Sequence, residues 1–286
     1  MMRRTMTVPM ENSFVWNRRK TLLVWLIIAV TFLTVVCIAG MYCGEAARAT
    51  DFSQKNLAPC LAHPFGTDWL GRDMFVRTLR GLSISILIGV SAATFSALMA
   101  FLLGVSAATL GKTVDGIITW VIDLIMGVPH LLLLILICVA VGKGLKGVII
   151  GVALTHWTSL TRLIRGEVMQ LRESQYIKIA KKLGKSQWHI ALKHMIPHLL
   201  PQFIVGLVLL FPHAILHESS ITFLGFGLSS EQPAIGVILS ESMKYLVTGN
   251  WWLALFPGIM LVLTVAFFYV AGENLRKLID PSSAHE

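Results

Sequence analysis

Long apolar blocks alternate with short polar segments along the chain, at about residues 21–41, 82–110, 114–141, 145–163, 198–216 and 251–272. A helix needs about 20 predominantly apolar residues to cross a hydrocarbon layer roughly 30 Å thick. No water is available there, so only a helix satisfies every backbone group internally. The pattern predicts an all-α polytopic membrane protein with about six transmembrane helices. The first block exceeds the usual core of a cleaved signal peptide and further spans follow it, so it reads as a retained helix. Residues 1–80 then form an N-terminal cytoplasmic segment, the first transmembrane helix and an extracytoplasmic loop. Residues 81–286 form a five-helix core interrupted by a cytoplasmic loop at 165–197.

Composition supports this reading. The chain is 55% hydrophobic and only 14% charged, with a mean hydropathy of +0.73, as expected of a membrane protein. A net charge of +9 raises the possibility of nucleic acid. The Lys and Arg residues nevertheless flank apolar spans and are not gathered on one soluble face, so they set topology. Arg18, Arg19 and Lys20 before the first span put the N-terminus inside, and an even number of crossings returns the C-terminus to the same side. Residues 42–80 lie outside. Cys37 and Cys138 fall within spans, where they read as small hydrophobes. Cys43 and Cys60 share the outer loop, either as free thiols or as a disulfide.

Within the cytoplasmic loop, residues 176–183 and 186–195 have helical character. Gly184 stands between them as a C-cap, and Ser186 is an N-cap candidate. Ile177, Ala180, Trp188, Ile190, Ala191 and Leu192 give this pair apolar surface, and Lys178, Lys181, Lys182 and Lys185 give it charge. A long loop in a compact protein usually has a function. The residues themselves fit either a docking element for another protein or an amphipathic pair lying on anionic lipid.

The loop resembles that of the permease subunits of ATP-binding-cassette importers, whose signature reads E-A-A, three residues, G, and a proline about a dozen residues on. Ala180, Gly184 and Pro197 match; Lys178 stands at the usual Glu and Ile179 at the first Ala. Gly66-Thr67-Asp68-Trp69-Leu70-Gly71-Arg72-Asp73 is similar to the G-T-D-x-x-G-R-D signature of the dipeptide, oligopeptide and nickel branch. Phe223-Leu224-Gly225-Phe226-Gly227 agrees with that branch too, and the overall likeness is to its second permease subunit. Read alone, residues 66–73 are a polar turn whose Asp and Arg side chains pair locally.

The resemblance implies a type I importer fold in the bacterial inner membrane, with both termini cytoplasmic. It also implies a second homologous permease, two ATPase subunits carrying ATP and Mg, an extracytoplasmic substrate-binding protein and surrounding lipid. No cofactor is expected on this chain and no nucleic acid among its partners. Tyr176, Lys178, Ala180, Leu183, Gly184, Trp188 and Pro197 become the residues of ATPase coupling.

The chain carries no catalytic pattern of its own. Gly111-Lys112-Thr113 and Gly184-Lys185-Ser186 end like a phosphate-cradling GxxxxGK[ST] loop, but the first glycine is replaced by Ser106 and Ile179 respectively. ATP hydrolysis is therefore expected on a separate subunit. Polar side chains inside spans are costly, so Asp123, His130, His156, His213, His217 and Glu218 call for a reason. His213 and His217, four apart, share a helix face and present two imidazoles to one cation, with His156 approaching from the preceding span. Hydrogen bonding to neighbouring helices is the other reading. Nickel-branch permeases look similar in carrying H-x-x-x-H here and an H-W pair like His156-Trp157. The leading expectation is a translocation path for nickel or a related metal chelate, bordered by His156, His213, His217 and Glu218, with His213 and His217 as metal ligands. Dipeptide or oligopeptide import is the alternative.

Overall fold

The computed structural model describes residues 18–279, without the side chains of Arg18, Gln187 and Trp188. It is a helical bundle of ten helices among the described residues: α1 (Arg18–Tyr42), α2 (Met74–Thr109), α3 (Lys112–Met126), α4 (His130–Val141), α5 (Leu145–Glu173), α6 (Gln175–Lys182), α7 (Gln187–Ile190), α8 (Ile196–Phe223), α9 (Ile235–Met243) and α10 (Trp252–Ile279). Five helices are long and apolar enough to cross a membrane, and α3 with α4 makes a sixth if that bent pair counts as one span.

The third apolar block differs from the single span expected at 114–141. It breaks between Met126 and His130, and the two halves diverge by 97°. Pro129 supplies the reason: its ring excludes helical backbone at Val128, and it has no N–H to continue the ladder. Pro129 itself takes an extended ψ of 121° and becomes the residue from which α4 starts.

Other boundaries move for equally local reasons. The second span begins at Met74, ahead of the expected 82, because the Asp73 side chain accepts a hydrogen bond from the Val76 amide at 3.0 Å and caps the helix. The other Asp73 oxygen meets His63 Nδ1 at 2.6 Å. Replacing Asp73 with Ala removes both, and a loss of about 1–2 kcal/mol is expected. Thermal unfolding in detergent checks this; an unchanged midpoint would show that the cap contributes nothing. At the other end of the bundle, residues 165–173, expected as loop, continue α5 as helix. A π-helical turn, Ala191–Met195, then runs directly into α8.

The bundle is centred on α2, α5 and α8. Small residues let these backbones approach closely, as is usual between helices in lipid. A Cβ on Gly89 would meet Ile215 of α8, and one on Gly104 would meet Ile164 of α5. One apolar cluster joins Ala97, Ala100, Trp157, Leu160, Ile164 and Leu199. α1 packs on α2 and α10, its Leu33 and Val36 sharing a cluster with Leu82 and Ile86 of α2 and Leu261 of α10, with Phe32 and Phe267 rings 4.3 Å apart.

Several charged residues of the long helices are partnered. Arg162 Nη2 meets Asp123 at 2.6 Å, Arg165 donates from Nε and Nη2 to the two oxygens of Asp115, and Arg172 donates to the Ala108 carbonyl. The Asp123 carboxylate, anomalous in sequence, thus has a counter-ion 39 residues away. The four cysteines are free, Cys43 and Cys60 included.

Candidate functional site

Three groups of residues stand out, one at each end of the bundle and one between. At the end where α5 passes into α6, the short helix α6 is two-faced. Ile177 and Ala180 are buried in the same apolar cluster as Ile164, Val168 and Leu171 of α5. Tyr176, Ile179 and Leu183, spaced by three and four residues, are exposed, so they line one stripe of a helical surface. The helix ends in a Schellman motif: Lys185 N–H donates to the Ala180 carbonyl at 3.1 Å and Gly184 N–H to that of Lys181 at 3.0 Å. Gly184 has φ +73°, a left-handed conformation that glycine adopts without the Cβ clash.

Of the residues singled out in sequence, Tyr176, Lys178, Ala180, Leu183 and Gly184 therefore belong to one small element. Pro197 lies in the first turn of α8, directly after the π-helical turn that feeds it. The Trp188 side chain lies outside the described residues. Lys178, at the family's Glu position, reaches Glu173 at 2.8 Å on the exposed surface. Its charge is met within the chain.

Between the two ends, three histidines from three helices converge. The His130 and His217 ring centroids are 4.4 Å apart, those of His130 and His156 4.8 Å, and those of His156 and His217 5.0 Å. One nitrogen from each ring lies within 4.8 Å of the others. His130 opens α4 immediately after the break, His156 sits in α5 and His217 in α8. All three line a cavity of about 550 Å³, together with Thr155, Ser159 and His213.

The geometry groups the histidines differently from the pair expected in sequence. His213, exposed, borders the cavity but stands outside the three-ring group, and His130 stands within it. The i, i+4 spacing holds two rings on one face of α8, yet the bend at Pro129 decides which third helix end reaches them. The signal in sequence for His130, not used in the expected set, is the proline that precedes it inside an apolar run. Glu218 does not border the cavity. It is fully buried, accepting hydrogen bonds from Thr222 Oγ1 at 3.0 Å and Ser219 Oγ at 3.3 Å.

At the opposite end, residues 66–73 form a compact turn before α2. Asp68, fully buried, accepts from the Leu70 and Arg72 amides at 2.9 Å each. Its other oxygen meets Arg72 Nε and Arg77 Nη1, both at 2.6 Å. Arg77 then extends its second nitrogen to Glu241 of α9 at 3.1 Å. The local Asp–Arg pairing expected of the motif is present. Glu241, which the sequence gave no reason to select, extends it across 164 residues.

A bundle of membrane-length helices, broken by a cavity and carrying a two-faced loop helix, has the architecture of a transport permease. The chain belongs to the family of binding-protein-dependent transport system inner membrane components, whose model matches residues 100–285. It is 34% identical over 251 residues to the dipeptide transport system permease protein DppC of Bacillus subtilis (strain 168), covering 87% of this chain and 78% of the relative. Identity to the oligopeptide transport system permease protein OppC of the same organism is 34% over 266 residues, covering 93% and 87%. The probable D,D-dipeptide transport system permease protein DdpC of Escherichia coli (strain K12) is 31% identical over 257 residues, covering 90% and 86%. The fold is similar to that of the inward-facing MetNI methionine ABC transporter, with a TM-score of 0.58 at 17% identity, covering 72% of this chain and 98% of that one. The protein is thus a permease subunit of an ATP-binding-cassette importer, with the type I fold.

Proposed function

We propose that this chain forms half of the translocation path of an ATP-driven importer of peptides or peptide-like solutes. The observation that carries the cargo class is the identity of about a third to dipeptide and oligopeptide permeases along most of the chain. Nickel, the leading expectation from sequence, gives way to its alternative, because the named relatives are peptide permeases.

The exposed stripe Tyr176, Ile179 and Leu183 supports docking of α6 on a separate ATPase that binds ATP and magnesium. Burial of Ile177 and Ala180 against α5 lets movement of that ATPase reach the bundle, since packed interfaces shift between discrete arrangements. The remaining partners are a second permease, a second ATPase and an extracytoplasmic binding protein that delivers the cargo. In this arrangement the loop end and both termini face the cytoplasm, as the basic flanks of the spans favour. The Lys178–Glu173 pair leaves no unmet charge at that position, so Lys178→Glu is expected to weaken docking through repulsion with Glu173 and local disorder of α6.

Uptake of a labelled dipeptide into proteoliposomes holding the complete complex and its binding protein tests the reading. ATP-dependent accumulation is the expected result. Robust ATP hydrolysis without accumulation of any di- or oligopeptide would overturn the cargo class and leave the permease assignment in place.

A further inference from the structure

Three imidazoles gathered inside an apolar bundle need an explanation that peptide transport by itself does not supply. None of the three rings hydrogen-bonds a neighbouring helix among the described residues. His130 Nε2 and His156 Nε2 are buried and without a hydrogen-bond partner, and His156 is only 7% exposed. Polar nitrogens left in that condition cost about 1–3 kcal/mol each.

The state of His156 is fixed by its surroundings. Its Nδ1 lies 3.0 Å from the Val152 carbonyl, which can only accept, so Nδ1 carries the proton. The Nε2 lone pair is then left without a hydrogen-bond partner. A backbone carbonyl holding one ring nitrogen while the other stays unprotonated is the outer support usually seen behind a metal-ligating histidine.

Distances agree with that role. Three nitrogens around one divalent transition ion at about 2.1 Å stand roughly 3.4 Å apart. The present nitrogens lie within 4.8 Å of one another, so modest side-chain rotations close the set. Each ligand comes from a different helix, and the cavity of about 550 Å³ adjoins the fourth position. That volume greatly exceeds a bare ion and accommodates a small organic chelator. Three imidazoles with one position left to an outside ligand suit ions such as Zn²⁺, Ni²⁺ or Co²⁺.

We infer that His130, His156 and His217 form a transient site for a divalent transition-metal ion carried by the cargo, the cargo being a peptide-class chelate whose own donor fills the remaining position. This rests on the reading of the chain as a peptide-class permease and narrows it. Three neutral imidazoles leave the ion's charge to be balanced by the chelator, so ion and chelator move through the site together.

The test uses the complete complex in lipid nanodiscs, titrated with Co²⁺ alone, whose visible absorption reports histidine coordination. Saturable binding with ligand-field bands is expected. His130→Ala, His156→Ala and His217→Gln should each weaken it by about 10-fold or more, since even outer supports of metal ligands contribute 10- to 100-fold. Thermal unfolding of each variant establishes that it is folded. Absence of Co²⁺ binding to the unmutated complex at millimolar concentration, or equal binding by all three variants, overturns the inference. Dipeptide uptake measured in the same preparations separates the two readings. Co²⁺ binding that is lost in the variants, alongside uptake of metal-free dipeptide that persists, supports both. Metal binding without uptake of any peptide, metal-loaded or free, overturns the peptide class and with it the cargo inferred here.

Discussion

Replacing Arg77 with Ala is expected to cost about 3 kcal/mol of stability, because it takes from the buried Asp68 carboxylate one of its two cations and from Glu241 the nearer one. Asp68 is fully buried and retains Arg72 as its remaining cation, while Glu241 keeps only a longer approach to Arg72 at 3.6 Å. The guanidinium also lies over the Trp69 ring, 5.9 Å from its centroid, and that ring stacks on Tyr245 at 4.5 Å. Loss of the arginine therefore loosens the packing that holds the turn against the segment after α9. Arg77→Lys should recover only part of the loss, since one ammonium cannot reproduce a fork that serves Asp68 and Glu241 together. Thermal unfolding in detergent, with Arg72→Ala for comparison, measures the effect. Equal and small losses for Arg77→Ala and Arg72→Ala would show that the buried network carries no special weight.

The second large effect concerns coupling and should leave stability almost untouched. Ile179 and Leu183 are exposed, Leu183 by 73%, so changing both to Asp removes little packing within the chain. If the stripe docks on the ATPase, the double variant places two charges in an apolar contact, and a loss of ATP-driven uptake of about 10-fold or more is expected. Desolvating charges without partners costs several kcal/mol. The unfolding midpoint of the isolated subunit should remain within about 1 kcal/mol equivalent of the parent, as for most surface changes. Normal uptake by the double variant would place ATPase contact elsewhere. Ile177→Asp offers the contrast: Ile177 is completely buried, so that change should reduce uptake and stability together.

Much of this was legible in the amino-acid sequence for reasons that are local. A membrane span is announced by its own composition, because lipid acts on each helix separately. The positions of α1, α2, α5, α8 and α10 accordingly followed from apolar runs, with errors only at ends where a cap or a polar continuation decides. Gly184 was readable as a helix terminus because its left-handed φ is a property of one residue and its immediate neighbours. The Asp–Arg pairing of residues 66–73 was readable for the same reason.

What the sequence did not disclose required the folded chain. Pro129 signals a break in the third apolar block, but not that the break turns the chain by 97°. That turn brings His130 to His156 and His217, residues 26 and 87 positions further on, while His213, four residues from His217 and a member of the expected pair, is left outside the closest group. Likewise, nothing near Glu241 marks it as the partner of Arg77, and nothing near Asp123 marks it as the partner of Arg162. The sequence by itself determined the solvent of each segment, hence the approximate extent of the membrane-length helices and the two-faced character of α6. Only the tertiary structure decided which buried polar groups meet, because burial in a low-dielectric interior makes each group seek a partner without specifying where along the chain that partner lies.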